Sequence, residues 1–180
     1  IIQSSDRQLT LINALAEEQF SKQNGLSLHL QNVSLAEIVN NLSSDFTQLF
    51  DLNKITLKNQ ISTDLPKIKV DSQQIRLVYE HLLTNAIKHN PPGLEITLDA
   101  TMEDHLLKCT ILDNGVGMTP QQCQQLFKLY VRNQHNQRLT GIGLGSYQCR
   151  QIIEAHGGQI GVKSALSLGT QFWFTVPLAD

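Results

Sequence analysis

Residues 71–93 read DSQQIRLVYEHLLTNAIKHNPPG, and this stretch predicts the helix on which the fold is built. Asp71 is placed to cap it, with Gln74 three residues later as the partner of a capping box. We expect the helix to run to about His89 and to stop at Pro91-Pro92-Gly93, because proline disfavours helix in the residue before it. The recurring apolar residues predict a core-facing side, made of Ile75, Val78, Tyr79, Leu82, Leu83, Ala86 and Ile87.

The rest of the chain predicts a mixture of helices and strands. Apolar residues at helical spacing indicate helices over residues 35–52 and 144–156. Alternating or short apolar runs indicate strands over residues 55–61, 67–70, 94–102, 106–112, 159–163 and 170–176. We therefore expect an α+β fold, a two-layer sandwich with a mixed, mostly antiparallel sheet and helices on one face, rather than a doubly wound sheet.

An apolar seam at near-heptad spacing runs through residues 1–24 and predicts a further helix that precedes the domain of residues 25–180. This helix is either a surface helix packed on its own domain or, as we prefer, the end of a longer dimerising helix. Gly25 is a typical residue for the C-terminal end of such a helix. Since the chain starts with Ile1 rather than Met, we expect it to be a piece of a longer protein.

Composition excludes several classes of partner. The 180 residues carry a net charge of −2, which argues against nucleic acid or an anionic membrane as a bulk partner. No apolar run approaches the ~20 residues that span a bilayer, and the first residues do not resemble a signal peptide. Cys109, Cys123 and Cys149 favour free thiols in a reducing compartment. We expect a cytoplasmic domain, and the sequence leaves open whether the parent protein is membrane-anchored.

The motif LLTNAIKHN (residues 82–90) supplies polar groups at the end of the central helix. Helical winding places His81, Asn85, Lys88 and His89 within a sector of roughly 100°. An amide oxygen such as that of Asn85 can ligate Mg²⁺, Lys88 can reach phosphates, and His89 can lie against a base or ribose. Taken alone, the pattern is equally that of a solvated polar stripe.

The motif DNGVGM (residues 113–118) delivers Asp113 at the end of a strand. A carboxylate there can accept a hydrogen bond from the exocyclic amine of adenine. Gly115 and Gly117 allow close approach of the backbone to a flat ring, or positive φ. By itself, the motif is also excellent turn chemistry.

The motif TGIGLG (residues 140–145) opens the last predicted helix. Its alternating glycines let successive N–H groups point at an anion, and the helix N-terminus adds partial positive charge. The spacing does not fit a Rossmann fingerprint, and no P-loop is present in the sequence. Lys128, Arg132 and Arg138 precede the motif and are candidates to neutralise a γ-phosphate, although single basic residues on loops are more often solvated.

A fourth motif, GTQFWF (residues 169–174), starts the last strand. The Thr170 hydroxyl is placed to hold a water beside Asp113 and the adenine. Phe172 and Phe174 are expected in the core, whereas Trp173 covers the outer face of the sheet or a neighbouring domain.

The four motifs in this order resemble the catalytic and ATP-binding domain of sensor histidine kinases, from about Leu35 to the C-terminus. That domain belongs to the ATPase superfamily shared with gyrase, mismatch-repair MutL and the ninety-kilodalton heat-shock chaperone. The resemblance implies a Bergerat-type fold with ATP and Mg²⁺ as cofactors, and a mobile lid between Met118 and Thr140.

Residue by residue, LLTNAIKHN looks like the N box, DNGVGM the G1 box, LFKLYVR (residues 126–132) the F box and TGIGLG the G2 box. The resemblance makes Asn85 the magnesium ligand and, with Lys88 and Arg132, one of three catalytic residues. The implied ATP site comprises Asn85, Lys88, His89, Asp113, Gly115, Gly117, Phe127, Arg132, Thr140, Gly141, Gly143, Leu144, Gly145 and Thr170.

The chain departs from the family pattern at three places. His81 stands where the kinases usually have Asn and the hydrolysing relatives have a Glu that activates water, so direct hydrolysis should be slow. Ile142 replaces a common Thr, and Tyr130-Val131 replaces an aromatic pair. In addition, no histidine of this chain has the sequence context of the phosphoacceptor, which we therefore expect upstream of Ile1.

The reaction that the resemblance implies is transfer of the ATP γ-phosphoryl group to a histidine of the parent kinase, for relay to a response regulator. The implied partners are the dimerisation and phosphoacceptor domain, a second copy in a homodimer, and the regulator. Two alternatives remain at this point. One is an ATP-driven clamp of the gyrase or MutL kind, and the other is a binding module that uses no nucleotide.

Overall fold

The computed structural model describes residues 26–128 and 144–180. The helix predicted over residues 1–24 lies outside the described residues. In chain order the described elements are β1 (Gln31–Val33), α1 (Leu35–Asp45), α2 (Thr47–Leu52), β2 (Thr56–Asn59), β3 (Ile68–Val70), α3 (Ser72–Lys88), β4 (Glu95–Glu103), β5 (Leu106–Asp113), α4 (Pro120–Gln125), α5 (Leu144–Ala155), β6 (Ile160–Ser164) and β7 (Thr170–Pro177).

The main sheet has five strands in the order β2-β4-β5-β7-β6. Only the β2–β4 pair is parallel, and the other three pairs are antiparallel. A separate antiparallel pair joins β1 to β3. The prediction of a mixed, mostly antiparallel sheet is therefore confirmed.

The strand alternation sends apolar side chains to one face of the sheet, where the helices pack. Ile96, Ile111 and Phe174 are almost fully buried on that face, and the ring of Phe174 meets Tyr79 of α3 edge-on, with centroids 5.3 Å apart. Trp173 lies on the opposite face, as the alternation predicts. There Lys108 Nζ lies 5.3 Å from the centre of its ring.

The central helix α3 begins at the predicted cap. Asp71 Oδ1 accepts hydrogen bonds from the N–H groups of Gln73 and Gln74, at 3.1 and 3.2 Å. The return half of the predicted capping box is not observed, because the N–H of Asp71 donates to His156 Nε2 instead, at 3.0 Å. Asp71 Oδ2 accepts from the N–H of His29 at 3.0 Å. The buried Asp71 carboxylate thus holds both the start of α3 and the backbone at His29, which lies just before β1.

Helices α3 and α5 lie side by side and run antiparallel. His156, directly after α5, contacts the start of α3 through Asp71. At the other end, Asn85 of α3 contacts Ser146 in the first turn of α5. These two contacts lie at opposite ends of the same helix pair, and they fix its register.

The short strand β1 was not predicted, and two further elements differ from the sequence prediction. The helix expected over residues 35–52 breaks at Phe46 into α1 and α2. The hydroxyls of Ser43, Ser44 and Thr47 each bond to a carbonyl three or four residues earlier, which competes with the regular helix and bends it. The second difference is α4, which was not predicted although Thr119 and Gln122 form a complete capping box around it.

The three cysteines are free thiols, of which Cys109 and Cys149 are buried and Cys123 is half-buried. Burial raises the pKa of Cys109 and of Cys149 to about 12, so both stay protonated at neutral pH. Across the described residues, none of the helices combines the length and the apolar character needed to cross a membrane.

We predict that Asp71→Ala lowers the free energy of unfolding by about 1–2 kcal/mol, because it removes the acceptor for the first N–H groups of α3. Urea denaturation measures the change. Asp71→Asn, which keeps one side-chain oxygen, should retain most of the stability. An unchanged midpoint for the alanine variant would contradict this role for the cap.

Candidate functional site

A cavity of about 420 Å³ opens between the end of α3, the turn after β5, helix α4 and the start of β7. Its volume is in the range of ordinary small-molecule sites, roughly 300–1,000 Å³. Five of the residues predicted from the motifs line it, namely Asn85, His89, Asp113, Gly117 and Thr170. The structure therefore brings the LLTNAIKHN, DNGVGM and GTQFWF motifs to one place.

Asp113 is the buried acid of this cavity. It ends β5 with 3% of its surface exposed. Its Oδ1 accepts hydrogen bonds from the N–H of Gly115 at 2.8 Å and the N–H of Thr170 at 3.2 Å. Burial raises the pKa of Asp113, although both hydrogen bonds act to lower it. Among the described residues no donor reaches Oδ2, so this oxygen is left for a ligand.

Ser164 connects the two strands and the glycine turn behind Asp113. Its Oγ accepts the N–H of Met118 at 2.8 Å, and it lies 2.8 Å from Thr170 Oγ1 and 2.7 Å from the carbonyl of Gly169. Ser164 and Thr170 are paired across β6 and β7. This small network fixes the Thr170 hydroxyl at the floor of the cavity; its proposed role as the holder of a water stays a prediction.

Asn90 ties the end of α3 to the glycine turn. Its Oδ1 accepts the N–H of Val116 and its Nδ2 donates to the carbonyl of Ala86, both at 2.7 Å. A side chain at Gly115 would overlap that of Asn90, and one at Gly117, where φ is +72°, would overlap the backbone of Ala165. The two glycines are thus required by packing, whatever they do for a ligand.

Of the polar residues predicted on α3 and at its end, some line the cavity and others lie outside it. Asn85 is half-buried in the cavity wall, and its Nδ2 donates to Ser146 Oγ at 3.2 Å. Partial burial lowers the pKa of His89, and the charge of Lys88 lowers it further, so that the His89 ring is mainly neutral at neutral pH. Lys88 itself is exposed and does not line the cavity.

Other predicted residues lie elsewhere or outside the described ranges. Phe127 lines a second hollow of about 320 Å³, whose lining includes Arg150 and Trp173 but neither Asn85 nor Asp113. Its neighbour Lys128 does line the first cavity. Gly145 lies against His81, since a side chain there would come 3.0 Å from His81 Nδ1. Arg132, Thr140, Gly141, Gly143 and the Leu144 side chain lie outside what the structure describes.

Several polar residues in or directly behind the cavity wall were not predicted, among them Asn90, Ser146 and Ser164. Asn90 is the last residue of LLTNAIKHN, and its position between a helix end and Pro91-Pro92 is a local signal for a side chain that bonds to neighbouring backbone groups. Ser146 and Ser164 carry no comparable local signal, because their roles depend on which helix and which strand become their neighbours.

Comparison with known proteins gives a consistent result. The family described as histidine kinase-, DNA gyrase B- and HSP90-like ATPases matches residues 70–180. The adaptive-response sensory kinase SasA of Microcystis aeruginosa is 33% identical over 181 residues, which cover 98% of this chain and 47% of the kinase. The chain therefore spans about half the length of this relative.

Solved structures of histidine kinases have the same fold. Full-length ShkA in complex with AMPPNP is 25% identical with a TM-score of 0.74, over 85% of this chain and 32% of ShkA. The catalytic domain of ThkA, free of nucleotide, is 20% identical with a TM-score of 0.73, over 83% of this chain and 96% of that domain. ThkA in complex with the response regulator TrrA also matches, at 19% identity and a TM-score of 0.70, over 94% of this chain and 50% of that one.

We predict that Asp113→Asn raises the stability of the ligand-free protein at neutral pH. Because the folded-state pKa of Asp113 lies above its ordinary value of 3.8, ionisation is less favourable in the folded than in the unfolded chain. The resulting destabilisation develops as the pH rises from the ordinary value of 3.8 to the folded-state pKa, and it stays constant above that pKa. An amide avoids it, while its oxygen still accepts both N–H groups.

Thermal unfolding at neutral pH and in acid measures this effect, with Asp51→Asn on the exposed helix α2 as the matched control. The advantage of Asp113→Asn should shrink in acid, where the wild-type carboxyl is protonated. A variant less stable than wild type at neutral pH would contradict the prediction.

Proposed function

The chain belongs to the family of histidine kinase-, DNA gyrase B- and HSP90-like ATPases, and we propose that it is the catalytic domain of a sensor kinase that transfers the γ-phosphoryl group of ATP to a histidine of its parent protein. One observation carries the proposal: Asn85 and Asp113, from motifs far apart in the sequence, line a single cavity. Similarity to sensor kinases such as SasA and KinB supports phosphoryl transfer to a histidine over the clamp chemistry of the same family.

Asp113 is the residue that selects the base. Its Oδ2 is able to accept a hydrogen bond from the exocyclic amine of adenine, which guanine lacks at the same position. The largely buried setting strengthens such a bond, because a hydrogen bond is stronger in the low local dielectric of a protein interior than in water. His89, neutral and on the same cavity wall, suits contact with an uncharged ring or a ribose.

The oxygen atoms of the cavity fit Mg²⁺ that arrives with a nucleotide. Among the described residues there is no group of three or more His, Cys, Asp or Glu side chains that would form a metal site of its own. Mg²⁺ in nucleotide sites usually takes one or two protein oxygens, and phosphates and waters complete its octahedron. Asn85 Oδ1 is such an oxygen. Bound there, the ion would neutralise charge on the phosphates during transfer.

Basic side chains and backbone N–H groups are assigned to the phosphate chain. Lys128 lines the cavity, and Lys88 lies one turn beyond Asn85 on the same helix. We assign the remaining contacts to Arg132 and to the N–H groups of residues 141–145, on the resemblance of their motifs. In phosphoryl transfer such groups act by positioning and charge neutralisation rather than by covalent chemistry.

The proposed reaction has a histidine nitrogen as its nucleophile. A bond forms between that nitrogen and the γ-phosphorus, the bond from the γ-phosphorus to the bridging oxygen breaks, and ADP leaves. We place the acceptor histidine on a helical hairpin of the parent protein, of which residues 1–24 are the last part. A homodimeric parent and a response regulator as the final acceptor complete the proposal.

A clamp ATPase is the less favoured function. That chemistry requires a carboxylate that activates water, and His81 occupies the position at which hydrolysing relatives have Glu. In the structure His81 packs against Gly145, at the start of α5. Rapid Mg²⁺-dependent hydrolysis by this chain would revive the clamp proposal.

We predict that Asp113→Asn weakens the binding of a non-hydrolysable ATP analogue at least about tenfold, since the acceptor for the adenine amine is lost and a donor takes its place. Isothermal titration calorimetry measures the affinity, again with Asp51→Asn as the control. Wild-type affinity should also fall in acid, as the pH drops through the raised pKa of Asp113. Unchanged affinity of the variant would remove Asp113 from base recognition.

We further predict that the chain binds ATP analogues but does not label itself when incubated with ATP carrying a radioactive γ-phosphate. An extended chain that includes the preceding acceptor segment should become labelled under the same conditions. Acid-labile phosphohistidine on the 180-residue chain alone would show that the acceptor assignment is wrong.

A further inference from the structure

The contact between Asn85 and Ser146 joins the proposed magnesium ligand to the neighbouring helix. Ser146 lies in the first turn of α5 with 5% of its surface exposed, and its Oγ accepts a hydrogen bond from Asn85 Nδ2 at 3.2 Å. Among the described residues no donor reaches Asn85 Oδ1. The amide nitrogen is therefore occupied, and the amide oxygen is free.

Whether the amide nitrogen or the amide oxygen of Asn85 is bonded to Ser146 determines whether Asn85 can bind a cation. A serine hydroxyl can accept from an amide nitrogen or, if the amide is turned by 180°, donate to the amide oxygen. Only the first arrangement leaves the oxygen available to a cation, and the second would present N–H donors to it. A bond from Nδ2 to Ser146 therefore selects the orientation that a magnesium ligand needs.

Close approach of the two helices makes the contact possible. Gly145 precedes Ser146 and lies beside His81, which is one turn before Asn85 on the same side of α3. A side chain at Gly145 would come 3.0 Å from His81 Nδ1, tighter than most real contacts. The missing side chain thus lets the first turn of α5 reach the polar side of α3.

We propose that Ser146 is a positioning residue for the magnesium site: it holds the Asn85 amide with Oδ1 directed to the cation. This inference rests on the proposed function, because it takes Asn85 as the magnesium ligand. Without Ser146, the Asn85 amide would rotate among several orientations, and only part of the population would be ready to bind. Ser146 itself does not contact the nucleotide or the ion in this proposal.

The test separates magnesium-dependent from magnesium-independent binding. The affinity for AMPPNP is measured by calorimetry over a series of Mg²⁺ concentrations and in EDTA, for wild type, Ser146→Ala, Asn85→Ala and the double variant. Ser43→Ala is the matched control, because its hydroxyl also makes a helix hydrogen bond, to the carbonyl of Val39 at 2.8 Å, and Ser43 does not line the cavity.

We expect Ser146→Ala to raise, about three- to tenfold, the Mg²⁺ concentration that gives half of the Mg²⁺-dependent gain in AMPPNP affinity. This factor corresponds to the free energy of one lost hydrogen bond. Its affinity for AMPPNP in EDTA should not change. The double variant should be no worse than Asn85→Ala, and Ser43→Ala should match wild type. In the nucleotide-free protein, the NMR signals of the Asn85 side-chain amide should shift in Ser146→Ala.

The remaining outcomes overturn the proposal in distinguishable ways. If Asn85→Ala removes the Mg²⁺ dependence and Ser146→Ala does not change it, Ser146 has no positioning role and the proposed function stands. If Ser146→Ala weakens binding equally with and without Mg²⁺, its role is structural. If Asn85→Ala leaves the Mg²⁺ dependence intact, the magnesium assignment fails and the role of Ser146 fails with it.

Discussion

The antiparallel packing of α3 against α5 is the constraint on which the site depends. Hydrogen bonds hold the pair at both ends, from Asp71 to His156 and from Asn85 to Ser146. The first lies deep in the domain and far from the cavity, whereas the second lies in the cavity wall. The two contacts together set the register of the helices, and hence the position of Asn85 relative to the first turn of α5.

Asp113 lowers the stability of the fold, and the same carboxylate is the one proposed to bind the ligand. A carboxylate with a few per cent of its surface exposed is unfavourable for folding, as its raised pKa indicates. The fold limits this cost with two backbone donors, both on Oδ1, and leaves Oδ2 without a partner among the described residues. A carboxylate kept at such a cost is expected at a binding site, because function rather than folding requires its charge.

The sequence was sufficient for those features that local patterns determine. The bounds of α3, its cap at Asp71 and the delivery of Asp113 at a strand end all follow from periodicity and capping chemistry, and the structure confirms them. The break at Phe46 was missed because apolar spacing continues across it, whereas the hydroxyls that cause it are ordinary surface residues. Ser164 was missed because its role depends on the pairing of β6 with β7. The family motifs predicted Phe127 at the nucleotide; in the structure it lines the second hollow, as Trp173 does, and its role at the nucleotide stays a prediction.

The C-terminal end of α3 holds two polar residues that serve different parts of the proposed site. Asn85 lies in the last turn of α3, and Asn90 lies two residues beyond the end of that helix, where its side chain is bonded to the carbonyl of Ala86. The first faces the start of α5, and the second holds the turn that carries Gly115 and Val116 next to Asp113. The proposed cation ligand lies on α3, and the turn next to Asp113 is hydrogen-bonded to Asn90, whose side chain is in turn bonded to the last part of α3. For the proposed nucleotide, this means that the partners at both ends are formed beforehand and little ordering of α3 is needed on binding.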